Sequence, residues 1–268
     1  MSEPPSQHRT PDEAARPDTA ARPTAGGQGG GAASPPSAPG RDAGERSAQD
    51  APLDRGPSSQ APTSHEASEP TTPVVGVLAL QGGVVEHVRA VESLGARAVK
   101  VRAPEDLAGL DALILPGGES STVDRLCRTF GLFEPLRGAI RGGLPTLGTC
   151  AGLIMLATQI EDPAPGQQSL GVLDVSVNRN AFGSQVASAE VDLAWLGPAS
   201  GVVGPGDHLK AAFIRAPEVT RAGDGVEVLA RHRGAVVAVR QDNVLGISFH
   251  PELMGDTTLH RLLLDSAR

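Results

Sequence analysis

The chain alternates between short apolar runs and stretches in which apolar positions recur at helical spacing. Residues 74–80 form one continuous apolar run, which is typical of a strand covered on both faces in a parallel sheet. The glycine-containing segment 81–83 interrupts this run. A helical stripe then covers 84–91 and continues to a stop at Gly95. This part of the chain therefore predicts a strand, a turn and a helix.

The same alternation continues toward the middle of the chain. The predicted strands are 98–101, 112–115 and 144–147, and the predicted helical segments are 104–107, 120–128 and 133–141. Strands and helices that alternate at this pitch indicate a three-layer, doubly wound α/β fold with a mostly parallel sheet and right-handed crossovers.

Beyond Gly171 the pattern changes to short strands separated by turns. The predicted strands there are 172–177, 189–193, 210–214, 226–230, 235–239 and 244–249. Such a run favours a mixed or antiparallel extension of the sheet. Residues 257–266 place their leucines on one helical face and predict a closing helix.

Composition divides the chain near residue 72. Residues 1–72 carry 12 of the 23 prolines and no Val, Ile, Phe or Trp, so they cannot bury enough apolar surface to offset the entropy of ordering. We predict a disordered Pro/Gly/Ala-rich extension over 1–72 and one folded domain over 73–268. For the extension we favour a solvated segment dispensable for catalysis, with a docking or regulatory role as the alternative.

Charge and cysteine content exclude several classes of protein. The net charge is −8, and residues 1–72 hold six Arg against ten Asp and Glu, so neither part is basic enough for a nucleic-acid partner. No segment resembles a secretory signal, and no apolar run approaches the roughly 18 residues of a membrane span. Only Cys127 and Cys150 are present, which excludes a disulfide framework. We predict a cytoplasmic protein.

The segment 148–152, Gly-Thr-Cys-Ala-Gly, is typical of a nucleophile on a sharp strand-to-helix turn. The small flanking residues allow the bend and keep neighbouring elements clear of the thiol. The following helix would point its N-terminus at Cys150 and favour the thiolate. The amide of Ala151 would then donate to a developing oxyanion. Cys127, in a helical stretch, is interpreted as a small buried apolar residue.

A base for this thiol is found in the segment 248–252, Ser-Phe-His-Pro-Glu. A predicted strand ends at His250, and the proline that follows favours an extended step that brings Glu252 back toward the imidazole. Cys150, His250 and Glu252 would then form a triad in which the histidine accepts the thiol proton and the carboxylate orients it. A purely structural histidine is the alternative.

A glycine-rich loop at 116–120, Pro-Gly-Gly-Glu-Ser, follows another predicted strand. Strand ends near the reversal of strand order border the ligand crevice of a doubly wound sheet. Gly118 is therefore the candidate for the second oxyanion donor, and an ordinary glycine turn is the alternative. No Gly-Lys-Ser/Thr follows, so a phosphate loop is disfavoured, and no spacing in the chain resembles a zinc motif.

These motifs together resemble the glutaminase subunits of pyridoxal 5′-phosphate synthase, a branch of the class I glutamine amidotransferases. The resemblance runs from about residue 74 to the C-terminus. Its most specific segments are 80–82 with 86–87, 115–120, 148–152, 179–180 with 182–183, 213–217 and 248–253.

The resemblance implies hydrolysis of L-glutamine to glutamate and ammonia through a thioester, without a cofactor or metal. It implies transfer of the ammonia to a (β/α)8-barrel synthase partner that makes pyridoxal 5′-phosphate from ribose 5-phosphate and glyceraldehyde 3-phosphate. By matching position, Cys150, His250 and Glu252 are catalytic. The implied glutamine-binding residues are Gly117, Gly118, Glu119, Arg179, Ile214 and Arg215.

Two other readings of the function stay open at this point. The first is a glutaminase of another biosynthetic pathway, and the second is a non-catalytic regulatory module on the same fold. Val85, Ser184 and the long segment 195–208 depart from the family pattern and bear on partner docking. For His87 two interpretations stay open. The residue lies at the active-site rim or the partner surface, or it has a purely structural role.

Overall fold

The structure is a computed structural model that describes residues 72–179, 181 and 189–267. The predicted extension 1–72 lies outside the described residues, apart from Thr72, and so does part of the predicted family motif at 180–183. The extension and its boundary with the domain therefore stay predictions.

The first half of the domain alternates strands and helices, as its apolar pattern predicts, with a 3-10 turn at Pro104–Leu107 between β2 and β3. Its elements are β1 Val74–Leu78, α1 Val84–Ser93, β2 Arg97–Val101, β3 Ala112–Leu115, α2 Ser120–Thr129, α3 Phe133–Arg141, β4 Thr146–Thr149 and α4 Ala151–Leu156.

The second half consists mainly of strands and ends in a helix. Its elements are β5 Ala157–Ile160, β6 Leu173–Asn178, β7 Ala189–Ala194, β8 His208–Phe213, β9 Glu218–Ala222, β10 Glu227–His232, β11 Ala235–Gln241, β12 Val244–Ile247, a 3-10 turn Glu252–Met254 and α5 Thr258–Ser266.

The described strands form one large sheet and a separate hairpin of β7 and β8. The large sheet has the order β2-β1-β3-β4-β12-β11-β9-β6-β5, with β10 also paired to β11. The pairs from β2 to β12 along this order are parallel, whereas β12, β11, β9 and β6 pair antiparallel. The predicted fold class, a mostly parallel doubly wound sheet with an antiparallel extension, is confirmed.

The two faces of the sheet bury separate apolar clusters. Successive residues of β3 contribute to the two clusters in turn. Ile114 packs with α1 and α5, whereas Leu113 and Leu115 pack with α2, α3 and α4. The loop between β7 and β8 contributes Trp195 and Val203 to the first cluster. In the part of the chain that the structure describes, no helix is long and apolar enough to cross a membrane.

The observed elements differ from the predicted ones at β4, β5 and β9. Strands β5 and β9 were not predicted, because both expose mainly polar side chains and carry no apolar pattern. The strand before Cys150 is 146–149 rather than 144–147, since pairing with β3 and β12 begins at Thr146. Its two threonines are fully buried, which hydropathy does not reveal.

Candidate active site

Cys150 lies at the junction of β4 and α4 in a strained backbone conformation. Its φ is 48° and its ψ is −101°, a region that residues with a side chain rarely occupy. Position 152 requires glycine, because the backbone of Leu115 lies so close that a Cβ there would overlap its carbonyl oxygen. The sequence-predicted elbow is therefore present, and it presents Cys150 at the carboxyl end of β4.

Strand β12 runs beside β4 and brings the segment with His250 and Glu252 to the elbow. The parallel register ends at Ile247 opposite Thr149, and the amide of Cys150 donates to the carbonyl of Ile247 over 2.8 Å. The strand therefore stops three residues before His250, earlier than predicted. The peptide amide of His250 instead donates to the carbonyl of Ala212 in β8 over 2.9 Å.

His250 and Glu252 contact each other directly. Nδ1 of His250 lies 2.7 Å from Oε1 of Glu252, and both residues are buried. Pro251 has helical dihedral angles and directly precedes the 3-10 turn 252–254, which places Glu252 beside the imidazole. The carboxylate thus lies where it accepts the Nδ1–H hydrogen bond and leaves Nε2 for the thiol side.

The charge state of His250 follows from this contact and from the thiol. Burial by itself would lower the pKa of His250, but hydrogen bonds to Cys150 and Glu252 and their negative charges outweigh burial and raise the pKa to about 10. The imidazolium is therefore stabilised beside the thiol. Such a pair matches an activated cysteine nucleophile with its own proton donor.

A second layer of buried polar side chains lies behind Glu252. Nε2 of His87 is 3.5 Å from Oε1 of Glu252 and 3.1 Å from Oγ1 of Thr149, while Nδ1 of His87 is 2.9 Å from Nε2 of His260. Sequence reasoning left the role of His87 open and assigned none to His260. The available signal was their position on the apolar faces of α1 and α5, where a histidine needs a buried partner.

One cavity of about 550 Å³ opens above the elbow. All predicted site residues except Ala151 line it, together with part of the segment 81–86 and with Leu253. The predicted residues in its wall are Gly117, Gly118, Glu119, Cys150, Arg179, Ile214, Arg215, His250 and Glu252. Among the described residues, no group of three or more His, Cys, Asp or Glu side chains is arranged to hold a metal ion.

The glycine loop after β3 forms one wall of the cavity at close range. A Cβ at Gly117 would overlap the imidazole of His250, and a Cβ at Gly118 would overlap the side-chain oxygen of Gln81. That oxygen accepts the amide of Glu119 over 2.8 Å, and the carbonyl of Gly117 accepts the amide of Gly83 over 3.0 Å. A side chain at Gly117 would have to displace the ring of His250, and one at Gly118 would have to displace the end of the Gln81 side chain, so both positions favour glycine.

Glu119 has a structural task besides its place in the cavity wall. Its carboxylate caps α2, accepting the amide of Ser121 over 3.1 Å and that of Thr122 over 2.7 Å. Partial burial would raise the pKa of Glu119, but these hydrogen bonds prevail and lower it to about 2. The residue is therefore a fixed anion, half-exposed at the cavity rim.

Arg179 reaches the same wall from the end of β6. Its Nη2 lies 3.5 Å from Oε1 of Glu119, and its Nη1 donates to the side-chain oxygen of Gln167. Gln167 in turn donates to Oγ of Ser120 over 3.0 Å, so the guanidinium is held from two sides. Arg215, the other predicted cation, also lines the cavity and has a positive φ of 44°.

Comparison with known proteins agrees with this geometry. The SNO glutamine amidotransferase family matches residues 77–267. The pyridoxal 5'-phosphate synthase subunit PdxT of Parafrankia sp. (strain EAN1pec) is 57% identical over 198 residues, or 74% of this chain and 95% of that protein. PdxT of Clavibacter sepedonicus is 58% identical over 194 residues, or 72% of this chain and 90% of that protein. A solved glutamine amidotransferase structure is 49% identical, covers 72% of this chain and 98% of its own, and has a TM-score of 0.66. The chain belongs to the SNO family of glutamine amidotransferases.

Proposed function

We propose that this chain is the glutaminase subunit of pyridoxal 5′-phosphate synthase and that Cys150, His250 and Glu252 are its catalytic triad. The observation that carries the assignment is the strained Cys150 beside a His250–Glu252 pair at the floor of the cavity. The similarity to PdxT subunits over nearly their full length supports the pathway.

The first half-reaction forms a thioester. The thiolate of Cys150 attacks the side-chain amide carbon of L-glutamine, and the carbonyl oxygen becomes an oxyanion. The peptide amides of Gly118 and Ala151 are the proposed donors to that oxyanion. The imidazolium of His250 gives its Nε2 proton to the departing nitrogen as the C–N bond breaks, and ammonia leaves.

The second half-reaction hydrolyses this intermediate. The now neutral imidazole of His250 takes a proton from a water molecule, whose oxygen attacks the thioester carbon. Collapse of the tetrahedral species breaks the C–S bond, restores the Cys150 thiolate and releases glutamate. Throughout, Glu252 holds the tautomer and stabilises each imidazolium, because its Oε1 lies 2.7 Å from Nδ1.

The α-carboxylate and α-ammonium of glutamine need a cation and an acceptor. Arg179 is the proposed partner of the carboxylate, because its planar guanidinium is held in place by Gln167 and Glu119 at the cavity wall. Arg215 lines the same cavity and is the other candidate cation. Glu119 and the backbone of Gly117 and Ile214 are the proposed surroundings of the ammonium group and the chain.

The ammonia would pass to a synthase subunit with a (β/α)8 barrel that uses ribose 5-phosphate and glyceraldehyde 3-phosphate. Exposed apolar side chains near the cavity mouth support a docking surface there. Ile214 and Leu253 line the cavity and are 40% and 47% exposed, and Val85, next to the lining residue Glu86, is 48% exposed. Two free cysteines fit the proposed cytoplasmic location.

The decisive experiment measures glutamate release by the full chain, alone and with the barrel synthase. Wild type with the synthase should form glutamate and pyridoxal 5′-phosphate from glutamine, and Cys150→Ala should form neither. Cys127→Ala is the matched control, because this second cysteine is buried on α2 away from the cavity.

Two alternatives have distinct outcomes in the same assay. Activation by a different acceptor enzyme, with no response to the barrel synthase, would show a glutaminase of another pathway. Absence of glutamate with every acceptor, and no effect of Cys150→Ala on any measured property, would show a non-catalytic module.

A further inference from the structure

The buried pair of His87 and His260 lies outside the triad, yet it touches the triad from behind. His87, on α1, is fully buried, and His260, on α5, is 1% exposed. Two imidazoles are costly to bury, because each has two polar ring atoms that lose water. Both ring nitrogens of His87 and Nε2 of His260 take part in a series of contacts that ends at Glu252 and Thr149. Thr149 directly precedes the nucleophile.

The contacts select one arrangement of protons. Nε2 of His87 faces the Glu252 carboxylate, so a lone pair on Nε2 would point at a negative charge, whereas an N–H there is attracted to it. Nδ1 of His87 is then the acceptor, and Nε2–H of His260 donates to it over 2.9 Å. This arrangement leaves a bare lone pair on Nδ1 of His260, which has no partner among the described residues. The opposite arrangement would bury an unpaired N–H there.

The environment of both rings agrees with neutral imidazoles. Burial, with the neighbouring His260 and His250, lowers the pKa of His87 well below its ordinary value. Burial also lowers the pKa of His260, to about 4, although Asp256 opposes the shift. Both rings are therefore uncharged near neutral pH, and they act on Glu252 as dipoles.

Glu252 needs such support. Its side chain is fully buried, and its Oε2 has no hydrogen-bond partner among the described residues. Its Oε1 receives the bond from His250 on one side and faces Nε2 of His87 on the other. Nε2 of His87 is within hydrogen-bonding distance of Oγ1 of Thr149 and lies 3.5 Å from the carboxylate, so an N–H at this atom stabilises the negative charge of Glu252 as a nearby dipole. His87 thus connects α1, the residue before Cys150 and the carboxylate of the triad.

We propose that His87 is a positioning residue of this active site, which holds Glu252 and Thr149 in their working geometry, with His260 selecting its tautomer. The inference rests on the proposed triad. It predicts that the two histidines act on turnover through Glu252 and leave glutamine binding largely unchanged.

A double-mutant cycle between His87→Leu and Glu252→Gln tests this role, with kcat and KM measured for the full chain in complex with its synthase. Removal of the polar N–H that faces a buried carboxylate, here at 3.5 Å between Nε2 of His87 and Oε1 of Glu252, corresponds to about a 10-fold to 100-fold loss of rate. We therefore expect His87→Leu to lower kcat by about this factor with little change in KM. In the Glu252→Gln background the same substitution should lower kcat by less than about threefold, because the charged carboxylate that His87 acts on is absent.

Val91→Ala is the matched control, because Val91 is buried on the same face of α1 one turn further on and does not line the cavity. Its kcat should equal that of the wild type even where its melting temperature is lower. A kcat for His87→Leu equal to that of Val91→Ala would overturn the proposal. Equal losses from His87→Leu in both Glu252 backgrounds would also overturn it.

His260 provides a second test, which stands even where His87→Leu does not fold. His260→Gln keeps a donor near the position of Nε2 and should retain most of the turnover, whereas His260→Leu should lose it. Equal activity of these two variants would contradict the proposed role of His260 in selecting the tautomer of His87. Wild-type turnover by Glu252→Gln alone would instead refute the triad, so the two failures are distinguishable.

Discussion

Nδ1 of His250 lies 2.7 Å from Oε1 of Glu252, although β12 ends three residues before the histidine. The pair is held from two directions. The bridge to Ala212 in β8 anchors His250, and the 3-10 turn that begins at Glu252 returns the carboxylate under the ring. The orientation of the proposed base therefore depends on the hairpin β7–β8 as well as on the main sheet.

The two cysteines should differ sharply in reactivity. Burial, with the charge of Asp124, raises the pKa of Cys127 to about 12, whereas Cys150 lines the cavity beside an imidazolium. Iodoacetamide at neutral pH should label Cys150 alone, as peptide mass analysis would show. Cys150→Ala should lower glutaminase turnover by on the order of a thousandfold or more, and Cys127→Ala should leave it within about twofold. Label on Cys127 in the folded protein would contradict this.

The stability contributed by His250 should depend on pH. Its pKa is raised from 6.5 to about 10 in the fold, so the folded state holds its proton more tightly than the unfolded chain. The resulting stabilisation is fully present below about pH 6.5 and is lost as the pH rises through about 10. The difference in urea midpoint between wild type and His250→Asn should therefore shrink from pH 6 to pH 10. The difference between wild type and Val91→Ala should stay constant over the same range.

Arg179 should serve substrate binding more than chemistry. If its guanidinium pairs with the α-carboxylate of glutamine, Arg179→Ala should raise KM by about 10-fold to 100-fold and change kcat far less. Steady-state kinetics of the synthase complex gives both values. Arg125→Ala, an exposed arginine on α2 outside the cavity wall, should change neither. A fall in kcat at constant KM would assign Arg179 to the reaction itself.

Two glycine-to-alanine changes should act in opposite directions. Gly152→Ala places a Cβ against the backbone oxygen of Leu115, so the elbow must move and the protein should lose both stability and activity. Gly138→Ala, inside α3 with open space around it, should stabilise the fold by about 0.5–1 kcal/mol. Thermal unfolding of both variants checks the pair. Equal melting temperatures would disprove the close-approach argument.

The exposed Val85 should contribute to synthase binding. Val85→Asp should raise the Kd for the barrel synthase by about tenfold or more, because a charge replaces apolar contact at the proposed interface. Leu196→Asp is the matched control, since Leu196 is 53% exposed and does not line the cavity. Titration calorimetry with the purified synthase measures both. Similar weakening by the two variants would place the interface elsewhere.

Most elements of the parallel half were predictable, because their strands are apolar on both faces and their helices carry clear stripes. Residues 112–115 and 133–141 match the predicted bounds without change. The polar edge strand β5 and the strand β9 were not predictable in this way, since their formation depends on pairing with β6 and β11. Hydrogen bonding across a sheet leaves no periodic signal in a strand whose side chains are exposed.

The local sequence was sufficient to indicate the elbow at Cys150, the turn at 116–120 and the histidine with its carboxylate, because each motif is short and its chemistry resides in adjacent residues. The tertiary structure decided the rest. It brought Arg179 to Glu119 from 60 residues away and placed His87 and His260, 173 residues apart, behind Glu252. Such contacts depend on the order of strands and on which helix faces are buried together, and no short segment encodes them.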